Sequence, residues 1–378
     1  MVLKTVLLIV LGFQIMLNIT RPLITLYASS LGAGTFDIGM LTAAYAFLPL
    51  IFAIHVGKIA DRIGDRLPVL LGTVGTAVGM ALPFALPTLG SLYASQIIVG
   101  VSHVFLIVSL QNILGHAATK ENRDHYFSVF SMFVAGGGFI GPVIGGYLAE
   151  QYSYSLAFLA ASVIGIMPFL FSFYMPAVRR KERTDVAPGM SGSLSLLKVS
   201  MLRKALASSA LVLYSRDIFV AYFPLLAERA GISTSQIGWI IAIQGLAMIL
   251  VRLFLSKLTV IMGRTWVLLA SILTAGLSFL LLPAIEHVYG FYLLSALMGI
   301  GLGCGQPLSM TTTYNASPKD RTGEVLGLRL ASNRLSQLIA PMIFGVVGSW
   351  GGLVSVFVMS GAILISGALL TRDKPSNV

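Results

Sequence analysis

One acidic side chain stands deep inside an apolar stretch: Asp217, in LYSRDIFV, beside Arg216. A charge at the centre of a hydrocarbon layer costs about 2.5–3.5 kcal/mol on insertion scales, so an acid kept there asks for a use. Low dielectric favours the neutral form of a carboxyl group, which suits Asp217 to take up and release a proton. The alternative is a permanent pair with a basic residue from another helix. Neighbouring helical residues point about 100° apart, so Arg216 need not be that partner. Upstream, Gln14, Asn18, Arg21 and Thr25 recur at i, i+4, i+7 and i+11, one face of a helix. Such a polar stripe belongs in a bundle interior or a water-filled cavity. Arg21 is the natural counter-charge for Asp217 or for an anionic substrate; otherwise it snorkels to headgroups.

Gln96, Gly100 and His103 share a second face, and His103 titrates near neutrality, which offers a proton path a further group. Gln306, Met310 and Thr313 form a third face at i, i+4, i+7, and Tyr45, Tyr214 and Gln244 complete the expected cavity lining. Arg252, Arg329 and Arg334 lie nearer helix ends and are assigned to phosphate snorkelling or gate pairing. The run GIGLGCG (299–305) is no nucleotide loop, because no strand precedes it.

The elements that must position these residues are set by the solvent. Of 378 residues, 56% are hydrophobic and 10% charged, against about a quarter charged in a soluble domain. That solvent is lipid. The single cysteine, Cys304, excludes a disulfide scaffold or a Cys-based metal cluster, and no cofactor is implied. About 20 apolar residues cross a bilayer as a helix. This ruler predicts twelve helices, at 3–28, 36–57, 67–87, 90–114, 127–149, 154–176, 205–229, 235–257, 265–284, 289–314, 327–349 and 353–371. The first 28 residues lack the short core and cleavage site of a signal peptide and are expected to stay as a span.

Linkers after the even-numbered spans carry Lys58, Arg62 and Arg66; Lys120 and Arg123; a basic cluster from Arg179 to Lys204; Lys257 and Arg264; and Lys319 and Arg321. The opposite linkers hold Arg229 alone among lysines and arginines. The positive-inside rule then puts the basic linkers and both termini in the cytoplasm of a multi-pass protein of the cell membrane. The net charge of +11 is thus orientation information rather than a nucleic-acid footprint, and RRKER (179–183) marks the inner leaflet. Expected partners are the lipid bilayer, a small-molecule substrate and protons, with no nucleic acid, and the chain is expected to act as a monomer.

A shift of 199 residues (341 − 142) lays Pro142 on Pro341, and the same shift pairs Gly146 with Gly345, Gly39 with Gly238 and Gly64 with Gly263. It also pairs Gly32 with Gly231, Gly100 with Gly299, Tyr93 with Tyr292 and Lys120 with Lys319, and it sets Asn18 on Asp217. The chain is therefore expected to be a duplicated six-span unit. The division is 1–176, a basic cytoplasmic linker at 177–204, and 205–378. Parallel repeats about a mid-membrane site are a transporter design.

GKIADRIGDR (57–66) then falls on the turn between spans two and three. It resembles the loop motif of the major facilitator superfamily, G-x-x-x-D-R-x-G-[RK]-[RK], through Gly57, Asp61, Arg62, Gly64 and Arg66. Asp65 stands where that family usually has a base, and SKLTVIMGRT (256–265) in the second half keeps only Lys257, Gly263 and Arg264. GGGFIGPVIGG (136–146) is similar to the span-five motif of the proton-coupled antiporters in that family, drug exporters especially, through Gly137, Gly141, Pro142, Gly145 and Gly146. A third motif, R-x-x-x-G in span four, has Gln96 in place of its arginine.

The resemblance implies an all-α integral membrane fold of twelve helices in two pseudo-symmetric six-helix bundles, with the span-two loop as a gating latch. It also implies proton-coupled export of small amphipathic or drug-like compounds by alternating access. The rival expectation is a facilitator or importer of a sugar or organic anion, with Arg21 on the anion. No paired carboxylates, HExxH or Asp-rich metal motif sits in the spans, so an enzyme is not expected.

Overall fold

Apolar segments in lipid must satisfy their backbone polar groups internally, and a helix does so within one segment. The computed structural model describes residues 2–119, 123–175, 197, 199–315 and 322–371, with 52–63 and a few others near helix ends described by backbone alone. Among the described residues there is no strand. The helices are Val2–Thr20, Leu23–Ser30, Thr35–Ile63, Arg66–Ala85, Leu89–Ala117, Arg123–Gln151, Tyr154–Ile164, Ile166–Ser172, Ser200–Arg229, Thr234–Met262, Arg264–Leu281, Val288–Asn315 and Thr322–Thr371. Their starts follow local chemistry. The Thr88 hydroxyl accepts the Ser91 N–H (3.2 Å), and the Ser153 hydroxyl accepts that of Leu156 (3.1 Å).

Among the described residues, ten stretches are long and apolar enough to cross a membrane. One of them, Ala331–Ala368, contains Gly352, whose φ of 77° and ψ of 172° lie where essentially only glycine is found. That residue divides spans eleven and twelve where the sequence reading did. With span two, whose apolar part is Thr35–Ile51, the expected twelve helices are present.

Several boundaries move. Span one is not a continuous helix over 3–28: it breaks at Arg21–Pro22, where proline has no N–H to donate and disfavours helical geometry in the residue before it. Thr25 thus lies on a separate short helix from Gln14 and Asn18, and its hydroxyl donates to the Pro22 carbonyl (3.2 Å). Span six breaks at Gly165, three residues before Pro168, where an added Cβ would meet Met16 Sδ at 2.7 Å. The helix of span two runs on to Ile63, so Gly57, Asp61 and Arg62 are helical and the turn shrinks to Gly64–Asp65. Span seven begins at Ser200, which moves Arg203 and Lys204 out of the linker and into a helix.

The internal duplication is visible in backbone geometry. Gly64 (φ 83°) and Gly263 (φ 80°) terminate equivalent helices one repeat apart, and Gly32 (φ 87°) pairs likewise with Gly231 (φ 76°). Close approaches repeat too. A Cβ on Gly100 would strike the Tyr45 carbonyl, and one on Gly299 would strike that of Gln244, the same contact 199 residues on. At another crossing the glycine changes sides: Gly72 faces the Ser102 carbonyl, whereas Gly301 faces that of Ser271. The helix approach is retained while the helix that supplies the small residue is not.

The chain forms two compact units, Met1–Thr184 with Ala227–Ala242, and Asp185–Leu226 with Ile243–Val378. In the first, span one is central; Val6, Ile9, Val10, Phe13 and Met16 are fully buried, packed with Val69, Val99 and Leu106. In the second, aromatic rings from four spans meet. Phe219 lies against Phe223 (4.6 Å) and Phe279 (6.5 Å), Phe223 against Phe291 (5.5 Å), and Phe279 against Phe357 (6.1 Å). Such packing replaces the hydrophobic drive that lipid does not provide.

Candidate functional site

Among the described residues, both units carry polar side chains bonded to one another inside the helix packing. In the first, Gly100 lets span four sit against the backbone of span two at Tyr45, which brings His103 within reach of that tyrosine. The Tyr45 hydroxyl and His103 Nδ1 share a hydrogen bond whose donor is set by the imidazole tautomer. Phe13 stacks on His103 at 5.4 Å, and the Arg21 guanidinium lies 5.5 Å from the Tyr45 ring centroid. Three of the residues singled out in the sequence thus form one chain, Arg21–Tyr45–His103. Gln96, two turns before His103 on span four, is buried. Gln14 and Asn18 are also buried, and the Asn18 amide donates to the Gln14 carbonyl (2.7 Å) and to Gln14 Oε1 (3.3 Å).

What covers Gln14 and Asn18 is the glycine motif. A Cβ on Gly137 would collide with Gln14, one on Gly141 would come within 2.6 Å of Asn18 Cβ, and one on Gly145 would strike the Ile19 carbonyl. Glycines at i, i+4 and i+8 therefore make a flat face of span five against span one. Gly146 and Pro142 serve a different helix. A Cβ on Gly146 would lie 2.6 Å from the Thr234 carbonyl, and Gly238 faces the Pro142 carbonyl. There Phe139 meets Trp239 edge-on (6.3 Å), and the Glu150 carboxylate accepts the Ser235 N–H at 2.7 Å, at the start of the span-eight helix. The small-residue signal was legible in the sequence; its two-sided use was not.

In the second unit Asp217 is half-buried, and its Oδ2 accepts from Gln337 Nε2 at 2.8 Å. Gln337 Oε1 in turn accepts from Arg334 at 3.1 Å. A second group lies on the same two helices and span ten. Gln306 donates to the Ser209 carbonyl (3.1 Å), Arg329 donates to Gln306 Oε1 (2.7 Å) and to the Ser309 hydroxyl (3.1 Å), and Ser209 donates to Asn333 (2.9 Å). Arg329 and Arg334, assigned from sequence to snorkelling or gate pairing, thus make their hydrogen bonds inside the unit. Arg252 likewise donates to the Gly303 carbonyl (3.1 Å). Gln337 and Asn333 were missed altogether. The signal was the run RLASNRLSQ (329–337), with Arg329, Asn333 and Ser336 at i, i+4 and i+7.

The remaining candidates scatter. Gln244 is buried and donates to Met298 Sδ (3.1 Å). Tyr214 stacks on Phe344 (5.9 Å) and donates to the Ser360 carbonyl (3.4 Å). Met310 is exposed, outside both polar groups, and Thr313 is buried. Of the gating motif, the side chains of Asp61 and Arg62 lie outside the described residues, as do Lys120, Lys319 and the basic run at 179–183. Arg66 is half-buried. Asp65, the departure from the family pattern, is buried and accepts from Asn112 Nδ2 of span four at 3.3 Å. Among the described residues no cluster of His, Cys, Asp or Glu has the makings of a metal site.

Known proteins share this architecture. The sequence is 24% identical to an uncharacterised transporter of Methanocaldococcus jannaschii, over 91% of this chain and 90% of that one. It is 24% identical to the class H tetracycline resistance protein of Pasteurella multocida (95% and 92% covered) and 23% identical to the quinolone resistance protein NorA of Staphylococcus aureus (88% and 86%). Among solved structures, the nucleoside transporter NupG superposes with a TM-score of 0.82 at 12% identity, covering 98% of each chain. A peptide transporter of the POT family superposes with 0.80 at 16%, covering 97% and 94%. These two establish the fold alone. The model of the Major Facilitator Superfamily matches residues 6–211 and 205–377. The chain therefore belongs to the Major Facilitator Superfamily: it is a multi-pass membrane transporter of small molecules and not an enzyme.

Proposed function

We propose that this transporter exports small amphipathic or drug-like compounds in exchange for protons, with Asp217 as the proton carrier. The observation that carries the reading is the chain from Asp217 through Gln337 to Arg334. Ionised Asp217 accepts, the Gln337 amide donates, and its carbonyl accepts from Arg334. Protonation at Oδ2 turns that acceptor into a donor. Gln337 must then release it or turn its amide over, and a turned amide points N–H at Arg334. One proton thus undoes the first of two charge-assisted hydrogen bonds, and the second as well when the amide turns, which gives protonation leverage on the packing of spans seven and eleven.

His103 and Arg21 we assign to proton coupling as assisting groups, Arg21 as a dispensable counter-charge rather than a carrier, and Gln14, Asn18, Tyr45, Gln96, Tyr214, Gln244, Gln306 and Met310 to contacts with substrate. The two halves exchange which side is open; the linker from 177 to the helix that starts at Ser200 and both termini lie in the cytoplasm; the chain acts as a monomer. Whole-length likeness to proteins named for tetracycline and quinolone resistance supports drug-like cargo and outward direction.

Everted membrane vesicles with an acid lumen test this. A lipophilic dye should accumulate inside and leave when an ionophore collapses the gradient. Accumulation should survive Arg21→Gln. Uptake that ignores the gradient, or that Arg21→Gln abolishes, would overturn the reading in favour of an anion carrier.

A further inference from the structure

We propose that the second unit holds a specific site for an anionic phospholipid of the inner leaflet, in a groove between spans seven, eleven and twelve. Two adjoining cavities form it. The first, of about 530 Å³, is lined by Arg203, Lys204, Ala207 and Leu211 of span seven and by Ala362 and Ser366 of span twelve. The second, of about 380 Å³, continues past Met359 and Ile363, which line both, to Leu335, Ile339 and Ile343 of span eleven and ends at Tyr214. The lining is mostly apolar, with Ser332, Ser336, Ser366 and Tyr214 as its neutral polar side chains, and its two cationic residues, Arg203 and Lys204, both line the first cavity.

That arrangement matches one occupant. A phosphate diester needs cations at the membrane surface, and its acyl chain needs an apolar slot running inward. Basic pockets between spans on the cytoplasmic side hold anionic head groups in this way. From Arg203 to Tyr214 a helix rises about 16 Å, which is about half of a 30 Å hydrocarbon layer and hence one leaflet. A zwitterionic lipid would fill the slot without using the charges. A soluble anion would use the charges and leave the slot empty. The leaflet assignment rests on the cytoplasmic placement of the linker; the site itself does not.

The probe is spin-labelled phosphatidylglycerol against phosphatidylcholine of the same chains, titrated into delipidated full-length protein. Wild type should prefer phosphatidylglycerol. Each of Arg203→Gln and Lys204→Gln should weaken that preference about fivefold, and the pair about thirtyfold. The control pair Lys257→Gln with Arg264→Gln removes two exposed charges elsewhere on the same unit and should leave it unchanged. Ala207→Phe and Ala362→Phe add a ring where the alanines are exposed and should exclude both lipids. Three results would overturn the site: no loss in the Arg203/Lys204 pair, equal loss in the control pair, or undiminished binding to the phenylalanine variants. An Arg203→Cys variant that reacts with an impermeant maleimide from outside intact cells would overturn the leaflet alone.

Discussion

Asp217→Asn should cut gradient-driven transport about a hundredfold or more, the scale at which a positioned proton-transfer group acts. Asparagine has nearly the shape of aspartate, and its carbonyl oxygen still accepts from Gln337 in the 2.8 Å geometry. Local packing should therefore hold, and the apparent melting temperature in detergent should change little. What disappears is the titration. The amide keeps its dipole at every pH, so Gln337 and Arg334 never receive the signal to part. Downhill exchange of substrate between two compartments at equal pH should continue, because it needs the cavity and not the proton. Proteoliposomes with and without a pH gradient separate the two activities. Gradient-driven uptake at the wild-type rate in the variant would remove Asp217 from the mechanism.

The second large effect pits two glycines of one helix against each other. At Gly145 an added Cβ would strike the Ile19 carbonyl and lie 3.1 Å from Ile19 Cα, backbone against backbone, so spans one and five must separate. Overpacking of this kind costs about 1–3 kcal/mol. At Gly138, seven residues earlier, nothing lies within 4 Å. There alanine removes only the flexibility penalty of a helical glycine, a gain of about 1 kcal/mol. Gly145→Ala should therefore lower the apparent melting temperature and the yield of folded protein, whereas Gly138→Ala should raise it. Shifts in the same direction would mean that the glycine face does not set the distance between the helices.

How much of this was legible beforehand depended on whether the signal was local. Asp217 stood out because a charge in an apolar run is an anomaly in any window. Its partner did not, since Gln337 lies 120 residues away and no spacing rule reports which helix faces which. The duplication was readable because turn glycines such as Gly64 and Gly263 are held to one backbone region, which leaves the same residue type at the same offset. Helix ends were misjudged for a related reason. Charges at Lys58–Arg66 and at Lys198–Lys204 mark where apolar character stops, but a helix continues past that point until something breaks it. Gly64 is that break at one site, and nothing prevents an early start at Ser200 at the other. Pro22 broke span one where a continuous span was expected. The i, i+4, i+7, i+11 spacing of Gln14, Asn18, Arg21 and Thr25 therefore assumed one continuous helix where there are two.

The most direct measurement is proton release on substrate binding. Purified protein in weakly buffered detergent is mixed with a transported compound while a pH indicator is followed. Wild type should give up protons as the compound binds, and Asp217→Asn should bind it with no release. Equal release from both proteins, or binding to wild type without any, would contradict the assignment of the exchanged proton to Asp217.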